Sequence, residues 1–232
     1  MPVHTSGFCN GHVCAIVGTY ARGASVQNAV DHMGLLVEEC SIDFGHGQPV
    51  QVHEMLREGL KTNQLIVNLL GVMKDLDPAE ITKLEQWTLE MLRCEHQQYH
   101  VLPASIVTRM DTTSGTITEV QFSCAGFVER CYRDAAGIRL LVDESSLPPI
   151  ALQALCSVWS DRARELQSTK IRKRYGLHGP EPWPILMPGY LFHAIRHVDA
   201  QGREAGPYQP QSGDWRFAPR CWRSGRSALT SF

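Results

Sequence analysis

The apolar residues of this chain change period along its length, and that change is what most restricts its fold. In the N-terminal third, Val13 to Val17 and Met33 to Val37 are short apolar runs. GTYARG and the DFGHGQP stretch from Asp43 to Pro49 break them with turn residues, and Val50 and Val52 then alternate with Gln51 and His53. Short runs rich in Val, Ile and Leu and bounded by Gly and Pro are strand signals, so three short antiparallel strands are expected. Glu54 to Met73 carries Leu56, Leu60, Ile66, Val67 and Leu70 at mixed helical spacings and is read as partly helical. A clearer helix follows. Asp77 suits its cap, Pro78 its first position and Glu80 its first turn. Ile81, Leu84, Trp87, Met91 and Leu92 recur at three- to four-residue spacing, giving a core-facing helix to about Gln97.

Strand patterns return from Val101 to Met110 and from Thr116 to Val120. FSCAGFVERCYRDAAGI then reads as a helix with Ser123 as N-cap and Gly137 as its stop. A further amphipathic helix is expected from Ile150 to about Gln167, using Leu152, Leu155, Val158, Trp159 and Leu166. The expected class is α+β. The 232 residues form a single domain over 1–223, with a helical insertion at 54–110, a C-terminal wrap at 146–223 and a flexible tail at 224–232.

Composition narrows the function classes. Hydrophobic residues are 43% and charged residues 20%, ordinary for a globular chain. A net charge of -2 removes a composition-level case for nucleic acid or an anionic membrane as obligate partner. No stretch approaches the roughly 18 uninterrupted apolar residues of a membrane span, and the first residues lack a secretory pattern. A cytoplasmic protein is expected. The eight cysteines are scattered and read as mostly reduced. Cys9, His12 and Cys14 are metal-ligand types, but no second pair partners them at zinc-site spacing, so no metal and no cofactor is expected. The pairs His96/His100 and His193/His197, each four apart, lack a third ligand nearby. The basic KIRKRYG run reads as a solvated face.

Three residues form a candidate catalytic set. A cysteine nucleophile needs a stabilised thiolate, a base and an orienter for the base. Cys124 stands in the first turn of its helix, where unpaired N–H groups and the dipole favour negative charge. Ala125 and Gly126 leave room beside it. His32, in HMGLLV, and His53, ending VQVH, sit on expected strands; if those strands pair, one imidazole can serve as base and the other as its orienter. Glu54, next to His53, is the alternative orienter. Cys131, seven residues beyond Cys124, reads as packed core.

These residues resemble a family. FSCAGFVERCYRDAAGIRL is similar to the nucleophile helix of NlpC-type cysteine peptidases, whose pattern is Asp-Cys-Ser-Gly-Phe-Val, then a Tyr, then Ala-Gly-Ile. Phe127, Val128, Tyr132, Ala136, Gly137 and Ile138 fall in register, while Ser123 and Ala125 differ from the family's Asp and Ser. HMGLLV resembles that family's His-Val-Gly-Ile-Tyr strand, and VQVHEM the following strand with the third triad member. The order His, His, Cys resembles the circularly permuted branch, which includes lecithin:retinol acyltransferase-like enzymes. The resemblance implies a papain-like permuted NlpC-type fold, with a small antiparallel sheet packed on the nucleophile helix. It also implies a Cys124–His32–His53 triad acting on an amide, isopeptide or ester bond, as a cysteine hydrolase or an acyltransferase. The expected partner is a peptide, isopeptide or lipid-ester substrate. Two other classes stay open: an inactive papain-like binding or scaffold domain, and a metal-binding domain built on Cys9, His12 and Cys14.

Overall fold

In the computed structural model, the described residues are 13–17, 30–37, 40–44, 50–54, 65–69, 76–102, 107–143, 146–159 and 162–215. Cys9 and His12 of the possible metal cluster lie outside them.

Five strands make an antiparallel sheet: β1 (Val13–Val17), β2 (Val30–Val37), β3 (Cys40–Phe44), β4 (Val50–Glu54) and β5 (Leu65–Leu69), in the order β4-β3-β2-β1-β5. Two of these differ from expectation. Cys40–Phe44 is a strand of its own and pairs on both sides, so β2 and β4 are not neighbours. Leu65–Leu69, read as part of a helix, is an edge strand on β1, with Ile66 opposite Ile16. A short apolar run holding β-branched Ile66 and Val67 suits either state by period, and an open sheet edge decides for the strand.

The helix α1 (Pro78–Arg93) begins as expected. The Glu80 N–H donates to Asp77 Oδ1 at 2.8 Å and the Asp77 N–H to Glu80 Oε2 at 3.1 Å, a reciprocal cap that satisfies two end donors. It ends earlier than expected. The Gln97 amide turns back to donate to the Met91 and Cys94 carbonyls, satisfying acceptors the helix end leaves open. The chain from His96 to Tyr99 is therefore free to extend as β6.

A second, three-stranded sheet has the order β6 (His96–Tyr99), β8 (Ile117–Phe122), β7 (Val107–Met110). β6 runs parallel to β8 and β7 antiparallel to it. The helix α2 (Cys124–Arg130) follows β8 directly, widens into a π-helical turn at Cys131–Ala135, and stops at Gly137, whose φ of +68° suits a residue without a side chain.

The expected helix from Ile150 to Gln167 is two helices, α3 (Leu152–Val158) and α4 (Ala163–Leu166). Trp159 leaves helical geometry between them and stacks on Tyr175. Two more helices follow, α5 (Thr169–Arg174) and α6 (Pro188–Gln201). About half of the described residues between 146 and 215 are helical.

The core lies between the five-stranded sheet and the helices. Both α2 and α6 pack on β2, where Met33, Gly34 and Leu35 are all buried. Leu84 and Trp87 of α1 are buried and Leu92 is half-buried; Trp87 packs on Phe122 and Phe127. α1 therefore covers the π-helical turn, β4 and β8, and shares the same core. Each large apolar side chain buried there contributes about 1.5–3 kcal/mol of hydrophobic stabilisation. The architecture is α+β. No helix among the described residues is long and apolar enough to cross a membrane.

Candidate active site

Cys124 is the first residue of α2. The Ser123 hydroxyl accepts the Gly126 N–H at 3.1 Å, and the Ser123 carbonyl accepts the Phe127 N–H at 2.8 Å. This cap fixes the helix start one residue before the thiol. Sγ then lies at the positive end of a helical segment that continues through Ala135.

The residue that meets the thiol was not read from the sequence. Tyr99 lies opposite Phe122 in the parallel β6–β8 register, two residues ahead of Cys124. From there the Tyr99 hydroxyl donates toward Cys124 Sγ at 3.9 Å. Thiol and phenol thus meet at the helix start. Burial raises the Tyr99 phenol well above the usual tyrosine range, and a charge on Cys124 raises it further. At neutral pH the phenol therefore keeps its proton and acts as a donor. Phe44 stacks on Tyr99 at 5.6 Å between ring centres and meets Phe122 edge-on, which locks the ring beside the helix start.

Cys124 is only 2% exposed, so a carbonyl that reaches Sγ has to displace a covering group. The other described cysteines differ from it. Cys131 is fully buried, near the Thr88 hydroxyl and the Leu84 carbonyl, and burial pushes its thiol far up. Burial also raises the thiols of Cys94 and Cys156. Neither Cys94 nor Cys156 begins a helix, and Cys131 lies where α2 passes into its π-helical turn.

β2 carries His32, whose backbone pairs with Ile16 where the β1–β2 register shifts. α2 packs on this strand and on β3. β4 carries His53, opposite Ser41. Ser41 in turn lies opposite Leu36, so His53 is level with Leu36 and not with His32. The two histidine backbones are two strands and four residues apart. At ordinary sheet spacings that is roughly 16 Å. Hydrogen-bonded imidazoles cannot bridge that separation. The expected pairing of their strands fails because β3 lies between them, and Glu54, level with Val37, is one residue farther along. The carboxylate nearest to His32 in register on the neighbouring strand is Asp43, opposite Gly34 and about 8 Å away between backbones.

Among the described residues no group of three or more His, Cys, Asp or Glu is placed to hold an ion. His193 and His197 instead pack their rings against Tyr208, and His96 is exposed on β6.

The site thus comprises a helix-start thiol, a phenol that donates toward it and a histidine-bearing strand on which the helix packs. Compared with known protein families, curated proteins and solved structures, the chain matches none.

Proposed function

We propose that this protein is a thiol-dependent hydrolase or acyltransferase of the permuted NlpC-type, papain-like class, acting on an amide, isopeptide or ester carbonyl. Cys124 attacks the carbonyl carbon. His32 accepts the thiol proton and returns it to the leaving group. The Cys124 N–H and the Tyr99 hydroxyl stabilise the oxyanion, because donors fixed where charge develops lower the barrier most. Water as second substrate completes hydrolysis; an amine or alcohol completes acyl transfer. The observation that carries this reading is the 3.9 Å approach of the Tyr99 hydroxyl to Cys124 Sγ at a capped helix start packed on β2.

The orienting residue is drawn from β3 rather than β4. In this scheme Asp43, opposite Gly34 on β3, takes that part, since His53 and Glu54 stand two strands from His32. The 25.9 kDa chain would work without a cofactor in this scheme.

Two measurements test the reading. The first is site-resolved alkylation with iodoacetamide near about pH 6, where a perturbed thiolate outreacts ordinary thiols. Cys124 is expected to label well ahead of Cys131 and Cys156. The second is a screen of peptide, isopeptide and ester reporters against wild type and Cys124→Ala, in which turnover should require Cys124. Equal labelling of Cys124 and Cys156, with no reporter turned over, would favour the inactive scaffold and overturn the proposal.

A further inference from the structure

Three features lie outside the proposed catalytic set. The shallow groove between Lys83, Glu90 and Asp134 is open and polar, with nothing to define an occupant. The His193–Tyr208–His197 ring cluster is packed for structure. Arg162 is different, because a chain of contacts leads from it to the thiol.

Arg162 stands just after the break between α3 and α4, where its N–H donates to the Trp159 carbonyl at 2.9 Å. Its guanidinium Nη1 donates to the Tyr175 hydroxyl at 3.0 Å. Tyr175 is 1% exposed and is clamped on two sides. Trp159 stacks on its ring, and the Val101 N–H donates to its carbonyl at 2.9 Å. The Tyr175 ring meets the Tyr99 ring edge-on, with centres 6.1 Å apart. Tyr99 in turn reaches Cys124 Sγ. A cation from the C-terminal segment is thereby held, through the buried Tyr175 and the half-buried Tyr99, behind the donor that touches the nucleophile.

We propose that Arg162 is the positioning residue that sets the charge of the Cys124 site: through Tyr175 it fixes Tyr99, and its positive field favours the thiolate over the thiol. The role rests on Cys124 being the nucleophile. The field of Arg162 acts at Tyr99 in the direction this requires, favouring negative charge there. At a partly buried site a nearby cation is screened less than at an open surface. Loss of Arg162 therefore raises the pH at which Cys124 ionises. Lysine restores the charge without the planar fork, so it recovers the field more than the geometry. Other ionisable residues stand on elements packed against α2: Asp31 and His32 on β2, Asp43 on β3, Glu119 on β8, and Tyr190 and His193 on α6. All remain in every variant, so differences between variants isolate Arg162.

The test is the pH dependence of Cys124 ionisation in the full chain, followed by iodoacetamide labelling at Cys124 and by ultraviolet thiolate absorbance relative to Cys124→Ser. Absorbance reads the charge without needing access to the buried thiol. Arg162→Gln should move the midpoint upward by about half a unit to one unit. Arg162→Lys should restore most of the shift. Tyr175→Phe, which keeps the ring but loses the hydroxyl, should give a smaller shift in the same direction. A wild-type midpoint below that of an ordinary thiol, unchanged in Arg162→Gln and Tyr175→Phe, overturns the role of Arg162 and leaves Cys124 as nucleophile. A wild-type midpoint no lower than that of an ordinary thiol overturns the nucleophile assignment itself, and the role of Arg162 with it.

Discussion

Tyr99 and Cys124 are 25 residues apart in sequence, yet the Tyr99 hydroxyl lies 3.9 Å from Cys124 Sγ. Parallel pairing of β6 with β8 brings them together, because Tyr99 lies opposite Phe122 at the strand end that leads into α2. A donor held by sheet register on one side and by Phe44 and Tyr175 on the other needs little rearrangement when charge develops beside it.

Tyr99→Phe tests that arrangement directly. The ring packing survives and only the hydroxyl is lost. The value of kcat/KM on a reporter that the wild-type protein turns over should fall about 10-fold to 100-fold, with the melting temperature nearly unchanged. Full activity in Tyr99→Phe would remove the phenol from the site.

Sheet register separates the candidate orienters. His32→Ala should lower turnover by about 10²-fold to 10⁴-fold, since the base is gone. Asp43→Asn should lower it by roughly 10-fold or more while Cys124 stays alkylatable. His53→Ala and Glu54→Ala should stay close to wild type. Loss of activity in a folded His53→Ala, with Asp43→Asn unaffected, would show that β4 supplies the orienter and that the register argument fails.

Gly189, near the start of α6, is expected to resist substitution although alanine ordinarily favours a helix. A Cβ there would run into the Trp215 backbone carbonyl, which cannot yield as a side-chain end would. Gly189→Ala should destabilise the protein by about 1–3 kcal/mol, read as a lower urea midpoint. A neutral or stabilising outcome, the ordinary result in a helix, would show that the two segments are not in contact.

Glu80 ties the start of α1 to the turn after α6. Arg203 Nη2 lies 2.9 Å from Glu80 Oε1, and Nη1 lies 3.1 Å from Oε2. Chiefly through this hydrogen bond, Arg203 holds the Glu80 carboxyl below the usual glutamate range. In the unfolded chain Glu80 takes up its proton first as pH falls. The pair therefore stabilises the fold above the ordinary glutamate value of about 4.3 and loses that effect as pH drops through the lower folded value. Arg203→Gln should cost about 0.5–1 kcal/mol near neutral pH, the pair being partly exposed, and should flatten the acid side of the stability curve. Urea unfolding of both proteins at neutral and acid pH checks both expectations, and parallel curves would rule out the linkage.

Local chemistry was legible wherever neighbouring residues decide it. The Asp77–Pro78–Glu80 signature specified the start of α1, and Ser123 with Gly137 bounded the helix that carries Cys124. Caps and stops act over a few residues, so the chain alone determines them. Sheet neighbours do not follow from local pattern. Cys40–Phe44 entered between the two histidine strands, Leu65–Leu69 paired as an edge, and His96–Tyr99 left the helix for a parallel pairing. Period reveals which residues are buried together on one element but not which element lies beside it, since backbone pairing of strands is blind to sequence separation. The Cys124 helix was therefore readable from the chain. The phenol that meets its thiol, the arginine behind that phenol and the distance between the two histidines were settled only by tertiary structure, because each depends on contacts between segments that no local preference brings together.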